Sequence, residues 1–192
     1  MKRTFPAEPL SREEVAAMLK ACSKRAATGI RNRALIVILW RGGLRIGEAL
    51  ALEPKDLDAE RGTVRVLHGK GNKSRVVGLD GQAWEEIKRW LDTRAKLGYN
   101  GGLPVFCTLA GTRVSQSYIR AAIKRIARRA GIEKRVHAHG LRHTHASELR
   151  EEGVEIGIIS KQLGHSSIAT TAHYLDHVAP QSVVDAMRGR AW

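Results

Sequence analysis

The stretch LGHSSIATTAHYLDH, residues 163 to 177, sets His165 nine positions ahead of Tyr174, one of three tyrosines in the chain. A phenol in such a place is either a nucleophile or an amphipathic residue packed at the edge of a core. Three other stretches hold reactive or strongly charged side chains: GLRIGEAL with Arg45, HGKGNKSRVV with Lys70 and Lys73, and HGLRHTHA with His139 and Arg142. Each is weak alone. An arginine after Gly-Gly can simply cap a helix, a lysine in a hairpin turn is usually solvated, and a histidine-rich helix start proves little. Two alternative chemistries fail on spacing. HGKGNKS has glycine where a phosphate-binding P-loop needs Ser or Thr after its Gly-Lys, and the GLR between His139 and His143 lacks the glutamate base of a zincin helix. His137, His143 and His145 are therefore read as helix-surface or satisfied core residues, and no metal site is expected. Of the other tyrosines, Tyr99 reads as a loop residue and Tyr118 as a neighbour of an apolar helix face.

Lys and Arg outnumber Asp and Glu 33 to 19, for a net charge of +14 and a pI near 10.5, which points to a polyanionic partner. Nucleic acid leads, with an anionic membrane surface second. The 192 residues can bury a sizeable core and are expected to form one domain. Two cysteines, Cys22 and Cys107, make no disulfide framework, and no early apolar run has signal-peptide length, so a reducing cytoplasm is the expected setting. The longest apolar run, Ala34 to Trp40, falls far short of the roughly 20 residues that span a bilayer. It predicts a buried helix and no membrane partner.

The elements that must position these residues are mostly helical. SREEVAAMLKAC predicts a helix capped by Ser11, with acids at the positive end of its dipole. A second helix is expected from about Arg31 to Arg41, breaking at Gly42-Gly43, and a short third one, IGEALAL, starts just after Arg45. Arg45 thus sits at a corner made by glycine. From Glu53 to Leu79 the period changes, and GTVRVLHG and SRVVGLD read as a hairpin about GKGNK with a third strand near Leu57. Helical periodicity returns in GQAWEEIKRWLDTRAKLG and from Ser115 to Ala130, where Ile119, Ala122, Ile123 and Ile126 share one face. The opposite face carries Arg120, Lys124 and Arg128, flanked by Arg125 and Arg129. Residues 111 to 147 hold nine Lys/Arg against the single acid Glu133, which favours phosphate contact over a merely solvated face. Helical hairpins fill the remainder.

In their order and separations, the Arg, the turn Lys, His-x-x-Arg, Leu-Gly-His and the Tyr nine residues later resemble the tyrosine site-specific recombinases, the phage integrase family. The resemblance runs from about Ser11 to the C-terminus and covers that family's catalytic domain. It implies an α+β, mainly α, tyrosine-recombinase catalytic-domain fold with a small antiparallel sheet at one edge. It further implies cleavage and rejoining of double-stranded DNA through a 3′-phosphotyrosyl intermediate, with no metal, ATP or other cofactor. By the resemblance, Tyr174 is the nucleophile, Arg45 and Arg142 hold the scissile phosphate, and Lys70, His139 and His165 assist. A non-catalytic DNA-binding module that occupies recombination sites or regulates a full-length recombinase is the alternative.

The physical chemistry of phosphoryl transfer agrees with those roles. Charge building on the non-bridging oxygens suits two planar guanidiniums, which make forked, charge-assisted hydrogen bonds. A tyrosine phenol, with an ordinary pKa near 10, must lose its proton on attack, while the departing 5′ oxygen must gain one. His139 suits the acceptor role and Lys70 on a hairpin tip the donor role. Lys73 is the rival in the same turn and otherwise a DNA contact, with Arg120, Lys124 and Arg128. His165 precedes a Ser-Ser helix start that also favours an anion.

Members of the family usually carry an N-terminal helical domain that clamps DNA, and this chain is expected to be the catalytic part without it. A histidine often two residues after the tyrosine stands three after it here, as His177, and is given no role. VAPQSVVDAMRGRAW can form a short helix from Pro180 with Val183, Val184 and Met187 on one face. The resemblance implies that such a segment docks on a neighbour in a tetramer assembled on DNA. Free in solution, the charge of +14 predicts mostly monomer.

Overall fold

Helix α1 (Arg12–Ala21) starts where the sequence places it, because Ser11 and Glu14 satisfy each other's backbone N–H groups. The Ser11 hydroxyl accepts from Glu14 N–H at 3.2 Å and the Glu14 carboxylate accepts from Ser11 N–H at 2.7 Å. Val15 and Met18 form its buried face. The computed structural model describes residues 9–67, 74–99, 102–165, 167, 169, 171 and 188.

Helix α2 (Ala27–Arg41) is the axle of the fold, with every residue from Ala34 to Leu39 buried. A helix apolar all round has no solvent face to offer, so neighbours must cover it, and α4 (Gly81–Lys96) and α6 (Ala138–Glu151) do so. It begins four residues before the Arg31 expected from sequence. The Ser23 hydroxyl accepts from Ala26 N–H at 3.0 Å and turns the chain early, and Gly29 has no Cβ to collide with the Ser23 backbone. Two arginines on this helix are buried. Arg33 pairs with Glu86 of α4, while Arg31 donates to Cys107 O at 3.1 Å and to the Tyr118 hydroxyl at 3.2 Å.

After the short α3 (Ile46–Ala51) and a 3-10 turn at Pro54–Asp56, the chain forms an antiparallel sheet of β1 (Leu57–Asp58), β2 (Thr63–Val66) and β3 (Arg75–Gly78), in that order. Val64 pairs with Val77, and both are fully buried on the core side, while Arg65 and Val76 face outward. The third strand expected near Leu57 is β1. The tip of the hairpin lies outside the described residues.

Helix α5 (Gln116–Arg129) buries Ile119, Ala122, Ile123, Ile126 and Ala127, and α6 and α7 (Ile156–Leu163) form the C-terminal hairpin. Tyr118 differs from expectation. One residue before Ile119 on the helix, it turns away from the apolar face and stands 44% exposed, with the Arg31 guanidinium 5.4 Å from its ring centre. Tyr99 is a loop residue as read, its hydroxyl donating to Leu109 O at 2.7 Å. No helix among the described residues is long and apolar enough to cross a membrane.

Candidate active site

The corner between α2 and α3 is built on Gly43, whose φ of +62° suits glycine. A Cβ there would stand 2.7 Å from His145 Cδ2 and 2.9 Å from Leu163 Cδ2, so the missing side chain lets this corner press on α6 and α7. Two residues on, Arg45 is the N-cap of α3. Its backbone N–H donates to Glu48 Oε2 at 2.8 Å and its Nη1 to Glu48 Oε1 at 2.7 Å, leaving the side chain 30% exposed.

Arg142 on α6 joins this corner to the end of α7. Buried to 1% exposure, it donates from Nη1 to Gly43 O and from Nη2 to Leu163 O, each at 2.6 Å. One carbonyl lies two residues before Arg45 and the other two residues before His165. Three stretches remote in sequence thus converge on one guanidinium. His139 lies one turn earlier on α6, whose N-terminus is capped by His137, its Nδ1 accepting from Gly140 N–H at 2.9 Å. Among the histidines expected to be satisfied bystanders, His137 has a capping task.

The histidines share one electrostatic environment. His165 is held to about 4 by burial first and then by Arg142, Arg45, Arg75 and His139. His143 is held to about 3 by burial and by His139, whose ring it meets edge-on at 4.6 Å. His139 is exposed to solvent, yet partial burial and then Arg142 still lower its pKa. These rings are therefore neutral at pH 7, and a neutral imidazole can accept a proton. His165 Nδ1 lies 2.8 Å from Thr171 Oγ1, which orients the ring. Just beyond it, Ser167 Oγ accepts from Ala169 N–H at 3.2 Å, consistent with the helix start read at the Ser-Ser pair. Among the described residues no group of three or more His, Cys, Asp or Glu is placed to hold a metal ion.

Two further residues belong here that sequence reasoning did not single out. Glu48 is 7% exposed, and Arg75 at the start of β3 grips it with Nη1 to Oε1 at 2.9 Å and Nη2 to Oε2 at 2.8 Å. Burial alone would raise the pKa of Glu48, but the hydrogen bonds from Arg75 and from Arg45 bring it down to about 2. An acid three residues after an N-cap was a legible signal for Glu48. Arg75 had none, because its partner is 27 residues away in the chain.

Lys70, Lys73 and Tyr174 lie outside the described residues, as do His177 and, apart from Arg188, the C-terminal segment from Pro180. Arg120, Lys124 and Arg128 are exposed on α5, opposite its buried face, and Arg120 Nη2 donates to Gln116 Oε1 at 2.8 Å. Lys124 and Arg128 also line a groove of about 650 Å³ shared with Lys134 and Arg135.

A helical domain with one small antiparallel sheet, whose Gly-Gly corner, α6 start and α7 end meet at a buried arginine, defines the catalytic-domain fold of tyrosine recombinases. The solved structure of XerA recombinase superposes with a TM-score of 0.84 at 28% identity, covering 98% of this chain and 67% of that one. XerH recombinase bound to a palindromic difH substrate, in a post-cleavage complex, gives 0.77 at 32% identity, covering 94% and 52%. The phage integrase family profile matches residues 8–180, and the chain belongs to that family. Among curated relatives, tyrosine recombinase XerC of Xanthomonas axonopodis pv. citri is 39% identical over 168 residues, 86% of this chain and 54% of the relative. Tyrosine recombinase XerD of Ralstonia nicotianae is 36% identical over 172 residues, 88% of this chain and 56% of the relative. The chain therefore spans about half the length of the curated relatives it matches.

Proposed function

We propose that this chain acts as the catalytic domain of a site-specific recombinase, cleaving and rejoining double-stranded DNA in the cytoplasm with Tyr174 as nucleophile. The observation that carries this reading is the clasp of Arg142 on Gly43 O and Leu163 O, which supports a single site made from Arg45, His139, Arg142 and His165. In the reaction, the Tyr174 phenol oxygen bonds to phosphorus as the bond to the 5′ oxygen breaks. The phenol proton passes to His139, and the departing oxygen takes a proton from Lys70. Arg45 and Arg142 stabilise the charge on the non-bridging oxygens, and His165 donates a further hydrogen bond to the phosphate. The phosphodiester energy is kept in the 3′-phosphotyrosyl bond, so a 5′ hydroxyl from another strand reverses the step and reseals DNA in a new pairing. No metal or ATP is required.

The exposed row Arg120, Lys124 and Arg128, with Lys73, supplies backbone contacts, and binding should weaken steeply with salt as condensed counterions are released. On paired sites the protein assembles as a tetramer, and without DNA it is mostly monomeric. The test is a nicked suicide duplex in buffer containing EDTA and no ATP. A covalent adduct through the 3′ phosphate is expected, and it should disappear in Tyr174→Phe while DNA binding persists. An adduct that survives this substitution removes Tyr174 from its role. DNA binding without any adduct would reduce the chain to a binding module.

A further inference from the structure

We propose that Arg75 is a positioning residue that fixes Arg45, through Glu48, and the turn carrying His165 in one geometry. The inference rests on the strand-transfer reading above for its consequence, but its geometry stands apart from it.

The Glu48 carboxylate is filled from two sides. Oε1 accepts from Arg45 Nη1 at 2.7 Å and Arg75 Nη1 at 2.9 Å, and Oε2 accepts from Arg45 N–H and Arg75 Nη2, both at 2.8 Å. The third donor of Arg75, Nε, reaches Gln162 O at 3.2 Å in the last turn of α7. The stem of the same side chain lies where a side chain of Gly164 would be, 2.6 Å from its Cβ position, one residue before His165. One planar fork thus spans the end of α7 and the start of α3, its own side chain only 10% exposed. Lysine has a point charge in place of the fork and cannot make these three contacts together.

Arg75 matters to Arg45 because burial works against the charge on Glu48, and the hydrogen bonds from Arg75 are the largest counterweight to it. With Arg75 gone, the carboxylate keeps only Arg45 and gains a proton at higher pH, and a protonated Glu48 orients Arg45 poorly. The charged groups facing this carboxylate are Arg45 from its own helix and Arg75 from β3, with Arg142, His139 and His165 in the shared environment beyond.

The test is the pH profile of single-turnover cleavage on the suicide duplex for wild type, Arg75→Met, Arg75→Lys and the double variant Arg75→Met, Glu48→Gln. Arg75→Met is expected to cleave roughly ten- to a hundredfold more slowly at pH 7, as misplaced reacting groups do. Its rate should also fall at a higher pH than the wild type's as conditions are made acidic, and adding Glu48→Gln should remove that displacement, leaving the acid limb set by protonation of His139. Arg75→Lys should rescue neither rate nor profile fully. If Arg75→Met does not fold, the double variant removes both charges together, and it and Arg75→Lys carry the test. The proposal is overturned if Arg75 variants keep the wild-type rate and profile, or lose the same factor at every pH regardless of residue 48. Should the wild type form no adduct, the strand-transfer reading fails, and nitrogen NMR of the Arg45 guanidinium still decides. A distinct, exchange-protected N–H signal is expected in the wild type and its loss in Arg75→Met, whereas persistence in the variant overturns the proposal.

Discussion

Gln162 and Gly78 exchange both of their hydrogen bonds: Gly78 N–H donates to the side-chain Oε1 at 3.0 Å, and Nε2 donates back to Gly78 O at 2.9 Å. The carboxamide of α7 thereby does for the edge of β3 what a neighbouring strand would do. Gln162→Ala should cost about 1–2 kcal/mol, since a typical hydrogen bond contributes about 1 kcal/mol net. Denaturant unfolding together with hydrogen exchange at the Gly78 amide checks this. Unchanged protection of that amide would show that the pairing contributes nothing.

Gly43→Ala should be among the most damaging single-atom additions. The left-handed backbone costs a side chain about 1–2 kcal/mol, and the new methyl would meet His145 and Leu163 at 2.7 and 2.9 Å. Overpacking adds roughly 1–3 kcal/mol. Because Gly43 O holds Arg142, cleavage should fall with stability. A variant with wild-type unfolding midpoint would contradict the tight corner.

The two arginines should separate in a paired measurement of cleavage and stability. Arg45→Ala is expected to slow cleavage by about 10²- to 10³-fold, as loss of one transition-state donor does. Its stability should change by no more than about 1 kcal/mol, because Arg75 still pairs with Glu48. Arg142→Ala should show a comparable loss of rate and also strand two buried carbonyls, each at about 1–3 kcal/mol. Equal stability losses in both variants would refute the distinction.

Acid should destabilise the protein above the range where its carboxylates titrate. Among the described residues, both ring nitrogens of His145 are buried without a hydrogen-bond partner, and burial, then Arg41 and Arg142, hold its pKa to about 4. The native state refuses a proton that the unfolded chain accepts near 6.5. This contribution is complete above pH 6.5 and lost as pH falls through 4, about 3 kcal/mol in all. His143 and His165 act in the same direction. His145→Leu should flatten the dependence of unfolding free energy on pH between 6.5 and 4 by about one proton. An unchanged slope would assign the proton elsewhere.

Removing residues 180 to 192 should leave a folded protein that cleaves but no longer assembles on DNA carrying two sites, as read by sedimentation. Apart from Arg188 that segment lies outside the described residues, and the expectation follows from the sequence spacing of Val183, Val184 and Met187, which would place them on one face of a helix too short to be stable alone. Higher-order complexes unchanged by the deletion would mean that the segment docks within its own domain or not at all.

Local order was legible wherever the determinant was local. Ser11 with Glu14 announced α1, the run from Ala34 to Leu39 announced a helix with no solvent face, and the paired alternation around Val64 and Val77 announced the sheet. The start of α2 was missed because Ser23 and Gly29 act together across six positions, a pairing that no propensity records. Tyr118 was misplaced by one residue of helical phase, enough to move a ring from the core to the surface.

The candidate site divides along the same line. Residue types in their order and spacing singled out Arg45, His139, Arg142 and His165 through the resemblance they carry to tyrosine recombinases, and reaction chemistry agrees with the roles that resemblance implies. What they could not contain is the meeting of those residues. Arg142 reaches Gly43 across 99 positions and Leu163 across 21, and Glu48 is held by Arg75 across 27. Such contacts follow from how α2, α3, α6, α7 and β3 pack, and packing is decided by the whole core at once rather than by any segment. The chain by itself determined which groups are present and what each can do. Only the tertiary structure decided that one buried guanidinium organises the corner and that Arg75, unremarkable in sequence, grips a buried carboxylate beside it.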